Sequence, residues 1–236
     1  MVKKLKIFDN FNIPNKFKKS IILIGNFDGL HSGHQKLFEL AKKYKTKYKS
    51  KVGVVTFDPI PKMFFNTKIK NYRISNFNQK VIYLKKFGVD FVINKKFDKN
   101  FSKITYYKFI KDILSKKLRS KFIFVSNNFR FGHKREGNVA LLKKYENDFG
   151  YNLINPTPLM KNKKIISSTI IRKLLEEGKL SKANTFLKRN WEIEGKVQRG
   201  RMMGQKIGFP TCNIDIGNYV IAVSYTHLTL PTMLPV

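Results

Sequence analysis

Four aliphatic residues, Ile21-Ile22-Leu23-Ile24, lead directly into Gly25-Asn26-Phe27-Asp28-Gly29-Leu30-His31-Ser32-Gly33-His34. Beyond this run, Leu37, Leu40, Ala41, Tyr44 and Tyr48 recur at helical spacing, with lysines filling the other face. The order of apolar strand, glycine-bearing turn and helix constrains the fold more than any other feature. A strand without polar residues is buried on both faces, as in a parallel sheet covered by helices. At the turn, N–H groups at the helix start point outward with the positive end of the helix dipole, so an anion is favoured there. Glycines let the backbone approach a phosphate closely. A lone Gly-x-Gly, or one histidine after a strand, is ordinary turn chemistry. Two histidines flanking a glycine, with Asp28 and Gly29 before them, read as a phosphate cradle carrying two imidazole donors.

The same alternation continues along the chain. Strands are expected over 52–57, 89–93 and 122–125, with a last short one over 152–154, and helices over 79–87, 105–118 and 139–147. Strands alternating with helices give a parallel sheet covered on both faces, with right-handed crossovers. Ligands in such sheets bind at the carboxyl ends of the strands, where Gly25, Phe57 and Ser126 fall. A further helix starts at Ser167–Thr169, where Ser168 or Thr169 can cap it, and Gly178 ends it. A short helix follows over 181–188. Trp191–Val197 then alternates apolar and polar residues before a glycine-rich stretch, which suits a β-barrel beginning near Asn190.

The ten residues from Gly25 to His34 resemble the HxGH motif of the nucleotidyltransferases. In full they are similar to the bacterial bifunctional riboflavin kinase/FAD synthetase family. Four more motifs follow in that family's order: Thr56-Phe57-Asp58-Pro59-Ile60-Pro61; Asn128-Phe129-Arg130-Phe131-Gly132 with Arg135 and Gly137; Ser167-Ser168-Thr169-Ile170-Ile171-Arg172; and Gly204 to Asn213. The resemblance runs from about Ile21 to Ile214. It implies an α/β fold: a Rossmann-like nucleotidyltransferase domain with a parallel sheet over 1–188, then an incomplete riboflavin kinase β-barrel starting over 189–222.

The activity it implies is transfer of AMP from ATP to FMN, giving FAD and pyrophosphate. FMN supplies the nucleophile, so the protein must position the reactants and place donors where charge develops. On this resemblance His31 and His34 face the α-phosphate. Gly25 and the loop amides of Asn26, Phe27, Asp28 and Gly29 help hold the nucleotide. Ser167, Ser168, Thr169 and Arg172 hold the β- and γ-phosphates, with Mg²⁺ bridging the phosphates rather than sitting on protein ligands. Taken alone, this second motif also reads as a plain helix cap beside a surface arginine. Asn128, Phe129, Arg130, Phe131 and Arg135 take the flavin side, and the bland reading of their aromatics is core packing. Two residues depart from the family pattern: Ser126 stands where a glycine is usual, and Asn128 where an aspartate is usual. Asp58 and Pro61 are expected to shape the neighbouring loop. In the kinase fragment Gly204 and Gly208 form a nucleotide loop and Thr211 and Asn213 resemble Mg–ATP residues, but Gln205 replaces an arginine. The family's catalytic carboxylate lies further downstream, so riboflavin phosphorylation is not expected.

Composition bounds the rest. Lys and Arg number 48 against 15 Asp and Glu, a net charge of +33. The lysines are scattered rather than gathered in a stripe, and Lys, Asn, Ile, Phe and Tyr are abundant together. That pattern reads as general compositional bias, with a salt-dependent attraction for polyanions including ATP. A basic nucleic-acid-binding protein is the rival of a different class; another HxGH transferase is the rival among enzymes. The single cysteine, Cys212, rules out a disulfide framework. No apolar stretch is long enough to span a membrane and no signal-peptide pattern is seen, so a cytoplasmic location is expected. Val223 to Val236 carries no Lys, Arg, Asp or Glu. This shift of bias reads as an atypical tail of the kind a translated adapter sequence gives, with an uncharged terminal extension as the bland alternative.

Overall fold

Ile21–Ile24 forms β2, with at most 2% of any of its side chains exposed. The computed structural model describes residues 5–161, 164–198, 208 and 213–221. In chain order β1 (Lys6–Phe8) and β2 are followed by α1 (Ser32–Tyr48), β3 (Val52–Asp58), the short α2 (Pro61–Phe65), α3 (Phe77–Lys86) and β4 (Phe91–Lys96). Next come α4 (Tyr106–Lys108), continued by wider π-type turns over Phe109–Lys117, and β5 (Phe122–Phe124). A small hairpin of β6 (Arg130–Phe131) and β7 (Gly137–Asn138) precedes α5 (Val139–Lys144), α6 (Glu146–Phe149) and β8 (Asn152–Ile154). Last come the β9 (Met160–Lys161) and β10 (Lys164–Ile165) pair, α7 (Ser168–Glu176), α8 (Leu180–Leu187), and the antiparallel pair β11 (Lys196–Gln198) and β12 (Asn213–Asp215).

Six strands pair in the order β1-β4-β3-β2-β5-β8, every pair parallel. Side chains alternate between faces along each strand. Ile22, Ile24, Val55 and Ile93 join one core with Ile110, Leu114 and Leu142, while Ile21, Leu23, Val54 and Val92 join the other with Phe38, Ala41 and Leu84. Both faces are therefore covered by helices, which is why the strands read as unbroken apolar runs. A third, smaller cluster of Ile74, Ile171, Leu175, Ala183, Leu187 and Val220 ties α7 and α8 to the loop before α3.

Several boundaries differ from the sequence expectation. Strand β1 was not expected. It is a three-residue edge strand, largely exposed on a lysine-rich segment, and so carries little apolar signal. The expected strand over 89–93 begins at Phe91, because Val89 N–H donates to the Leu84 carbonyl and closes α3. The expected helix over 139–147 breaks at Tyr145 into α5 and α6. Of Trp191–Val197 only the end enters a strand, and among the described residues the expected barrel is represented by the β11–β12 pair. Gly204, Gln205, Thr211 and the tail from residue 222 lie outside the described residues. Gly208 sits in a turn at φ +84°, and Asn213 opens β12.

Candidate active site

The turn after β2 carries positive φ at Phe27 (+46°), Gly29 (+76°) and Leu30 (+39°). Left-handed backbone is costly for residues other than glycine and persists only where surroundings impose it. Here the surroundings do so through Asp28, 1% exposed. Its carboxylate accepts the backbone N–H groups of Ile74 and Ser75 at 3.1 Å and pairs with Arg172 Nη2 at 2.7 Å. Ser168 Oγ donates to the Asp28 carbonyl at 3.0 Å, and Gly29 N–H donates to Ser75 Oγ at 3.2 Å. A Cβ on Gly29 would meet Ile74 Cγ2 at 2.7 Å, so glycine is needed for space as well as for its φ.

The loop delivers His31 and His34 with their rings stacked, 3.7 Å between centroids. Phe27 meets the His34 ring edge-on and packs on Phe38 in the core. Burial pushes His31 down to about 4; Asp28 pulls it back up, while Arg172 and Arg189 push with burial. Burial, then the charges of His31, Lys80 and Arg172, hold His34 well below its ordinary value. Both rings are thus neutral near pH 7 and can each donate one N–H. Among the described residues, Nδ1 of each histidine and Ser32 Oγ are buried without a hydrogen-bond partner. Buried polar atoms are normally paired, and these three cluster at one helix start beside a cleft that His31 and His34 line.

That cleft has a volume of about 950 Å³. Gly25, Asn26, Phe27, Asp28, His31 and His34 line one end, and Ser167, Ser168, Thr169 and Arg172 border it. Ser167, not the expected Ser168 or Thr169, caps α7 by accepting from Ile170 N–H, because Ser168 Oγ is turned to the Asp28 carbonyl. Arg172 is 7% exposed, sits over the Tyr72 ring with Cζ 3.7 Å from its centroid, and donates from Nε to the Tyr72 carbonyl. The expected free fork is therefore already engaged, with Asp28 on one side and Tyr72 on the other. Gly29 does not line the cleft: its N–H and carbonyl are taken by Ser75 and Arg189. The other end is lined by Asn128, Phe129, Arg130, Phe131 and Arg135. Phe129 and Phe131 stack at 5.3 Å, and Ser126 Oγ donates to Asn128 Oδ1 at 2.9 Å. Gly132, at φ +76°, lets this hairpin pass Tyr106, whose backbone N a Cβ would meet at 2.6 Å.

The structure adds residues that the motifs did not indicate. Phe65, Phe97 and Phe101 extend the aromatic wall around Phe57, which the sequence already places at a strand end. Arg73 pairs with Asp58, Tyr72 floors Arg172, and Arg189 Nη2 donates to the Gly29 carbonyl at 2.8 Å. Phenylalanines and cations are so frequent in this chain that single ones carry no positional signal. A local signal existed for α3 alone, the capping box in which Asn76 and Gln79 exchange side-chain and backbone hydrogen bonds.

The FAD synthetase family model matches residues 13–170, and the riboflavin kinase model matches residues 187–230. The chain belongs to the FAD synthetase family. It is 38% identical over 222 residues to a bifunctional riboflavin kinase/FMN adenylyltransferase of Buchnera aphidicola subsp. Acyrthosiphon pisum, covering 91% of this chain and 71% of that protein. With the protein of the same description from Escherichia coli K12 it shares 36% identity over 203 residues, 86% of this chain and 65% of that one. The chain thus spans roughly two thirds of the length of these relatives. A solved structure described as a macrolide-efflux protein from Streptococcus pneumoniae superposes with a TM-score of 0.77 at 27% identity, covering 92% of this chain and 70% of that chain. Among the described residues here, no helix is long and apolar enough to cross a membrane.

Proposed function

We propose that this cleft joins FMN to the α-phosphorus of ATP, with the polyphosphate at the His31–His34 end and the flavin against the aromatic wall. A phosphate oxygen of FMN attacks the α-phosphorus in line, the bond to the β-phosphate oxygen breaks, and FAD and pyrophosphate leave. Neutral imidazole N–H groups of His31 and His34 are placed for the α-phosphate oxygens, where charge accumulates. The start of α7, with Ser167, Ser168 and Thr169, takes the β- and γ-phosphates. Arg172 acts by holding Asp28, and so the loop, while its charge remains near the phosphates. The carrying observation is that two stacked, neutral imidazoles and a pair of stacked phenylalanines line one cleft at the carboxyl ends of parallel strands.

The Asp28 carboxylate, the acidic group in the phosphate loop, is already engaged by Arg172 and by the N–H groups of Ile74 and Ser75. The donor set fits a Mg²⁺ carried on the nucleotide's phosphates, where it would offset their charge. The proposed domain limits are 1–188 and 189–222; the family matches cover 13–170 and 187–230, the second reaching into the uncharged tail. The described residues of that second part brace the FAD synthetase loop.

The test is formation of FAD from FMN and ATP by the purified chain. His31→Ala is expected to lower kcat by about 10²–10³ and to weaken ATP binding by much less. No FAD from the wild type, together with turnover of another phosphate acceptor, would favour a different HxGH transferase.

A further inference from the structure

Lys80 lies on α3 with 2% of its surface exposed, beside the site but outside the chemistry set out above. Its Nζ donates to Thr56 Oγ1 at 3.3 Å, and Thr56 Oγ1 donates to the Asn26 carbonyl at 3.3 Å. Thr56 is fully buried on β3, so helix, sheet and phosphate loop meet at one hydroxyl. The carboxylates whose field reaches the ammonium are Asp28 and Asp58, and both are paired with arginines, Arg172 and Arg73. The two arginines offset the two carboxylates, and Lys80 is left as surplus positive charge behind neutral His34. A buried cation without a carboxylate of its own lowers fold stability. A methionine would fill the same space without that cost, so the ammonium is retained for something other than packing.

We propose that Lys80 is a positioning residue for adenylyl transfer: through Thr56 it fixes the Asn26 carbonyl in the phosphate loop, and from beneath the loop it supplies fixed positive charge that favours the polyphosphate of ATP. The proposal rests on the reading of the cleft as an ATP site. It also has a pH signature. Burial brings Lys80 down to about 8, against the pull of Asp28 and Asp58 and with the push of Arg73. Of the shifted groups, His34 feels the Lys80 charge, and it and its stacked neighbour His31 change charge well below that range. ATP favours the charged lysine, so affinity holds below about pH 8 and falls as pH rises past it.

The test measures Mg·ATP binding by calorimetry without FMN, on the full chain, from about pH 7 to about pH 9, alongside FAD formation and thermal melting. Lys80→Met is expected to weaken ATP binding roughly ten- to hundredfold at neutral pH. It should also abolish the loss of affinity above pH 8, lower FAD formation in step, and melt at the same or a higher temperature. Thr56→Val, which keeps the charge and cuts the relay, should retain the pH dependence with a smaller loss of affinity. Unchanged ATP affinity in Lys80→Met overturns the proposal, as does a fall in melting temperature with wild-type affinity in the folded fraction. A wild type that binds ATP but forms no FAD refutes the functional reading and leaves the Lys80 proposal to the binding data. A wild type that binds no ATP overturns both.

Discussion

His31 and His34 enter the cleft as neutral rings, and this sets how the fold responds to acid. In an unfolded chain a histidine titrates near its ordinary value of 6.5, whereas burial holds His31 at about 4 in the folded protein. Between these values the unfolded state binds more protons than the folded one, so stability falls as pH drops. The contribution of His31 is fully present above about pH 6.5 and lost toward pH 4, roughly 3 kcal/mol in all. His34 shifts in the same direction. His31→Gln should therefore flatten the decline of stability between neutrality and pH 4, measured as the urea midpoint at several pH values. Equal slopes in the two proteins would show that His31 does not fold in its neutral form. The same burial suits catalysis: an imidazole kept neutral and unpaired leaves its donor free for the phosphate.

At the scale of elements, the phosphate loop is held by a clasp that arrives after α8. Arg189 donates to the carbonyls of Gly29 and Leu187 and lies 4.0 Å from the Tyr83 ring. Gln35 Nε2 bridges the Leu30 and Leu187 carbonyls, and Trp191 Nε1 donates to the Ile74 carbonyl at 2.8 Å. Beyond β12, Asn218 and Val220 pair with the backbone of Tyr72 and Arg73, one step from the N–H groups that hold Asp28. Trp191→Phe keeps most of the ring and removes the donor. It should cost about 1–3 kcal/mol and raise KM for ATP more than it lowers kcat, read from denaturation and steady-state kinetics. An unaltered KM would separate the clasp from the loop. This level is where the sequence was least legible. Strands buried on both faces, such as Ile21–Ile24, announce themselves by composition, and the Gly25–His34 run announces its turn by residue type. The clasp has no such signal, because Arg189 and Trp191 act through carbonyls distant in sequence and contribute no local period. For the same reason the alternation over Trp191–Val197 suggested a strand where the chain is used as a brace. Arg172 could be singled out by its motif, but not tied to Asp28, since the two lie 144 residues apart in the chain.

For the molecule as a whole, the net charge of +33 and the cleft chemistry act over different distances. Lys36, Lys62 and Lys134 line the cleft alongside Arg130 and Arg135, and all five are exposed. Salt screens such exposed charges over about 8–10 Å at physiological strength, and buried ones much less. Attraction of ATP to the rim should therefore fade with added salt, while the field from Lys80 and the hydrogen bonds of the histidine end persist. Raising KCl from about 0.05 M to about 0.5 M is expected to increase KM for ATP several-fold while kcat changes less than about twofold. The same experiment separates the enzyme from a general polyanion binder. RNA should compete with ATP at low salt through the scattered surface lysines and cease to compete near 0.2 M, as expected of a nonspecific phosphate-backbone interaction. RNA binding that survives that salt, in a protein that turns over no nucleotide, would instead make the surface charge the functional feature.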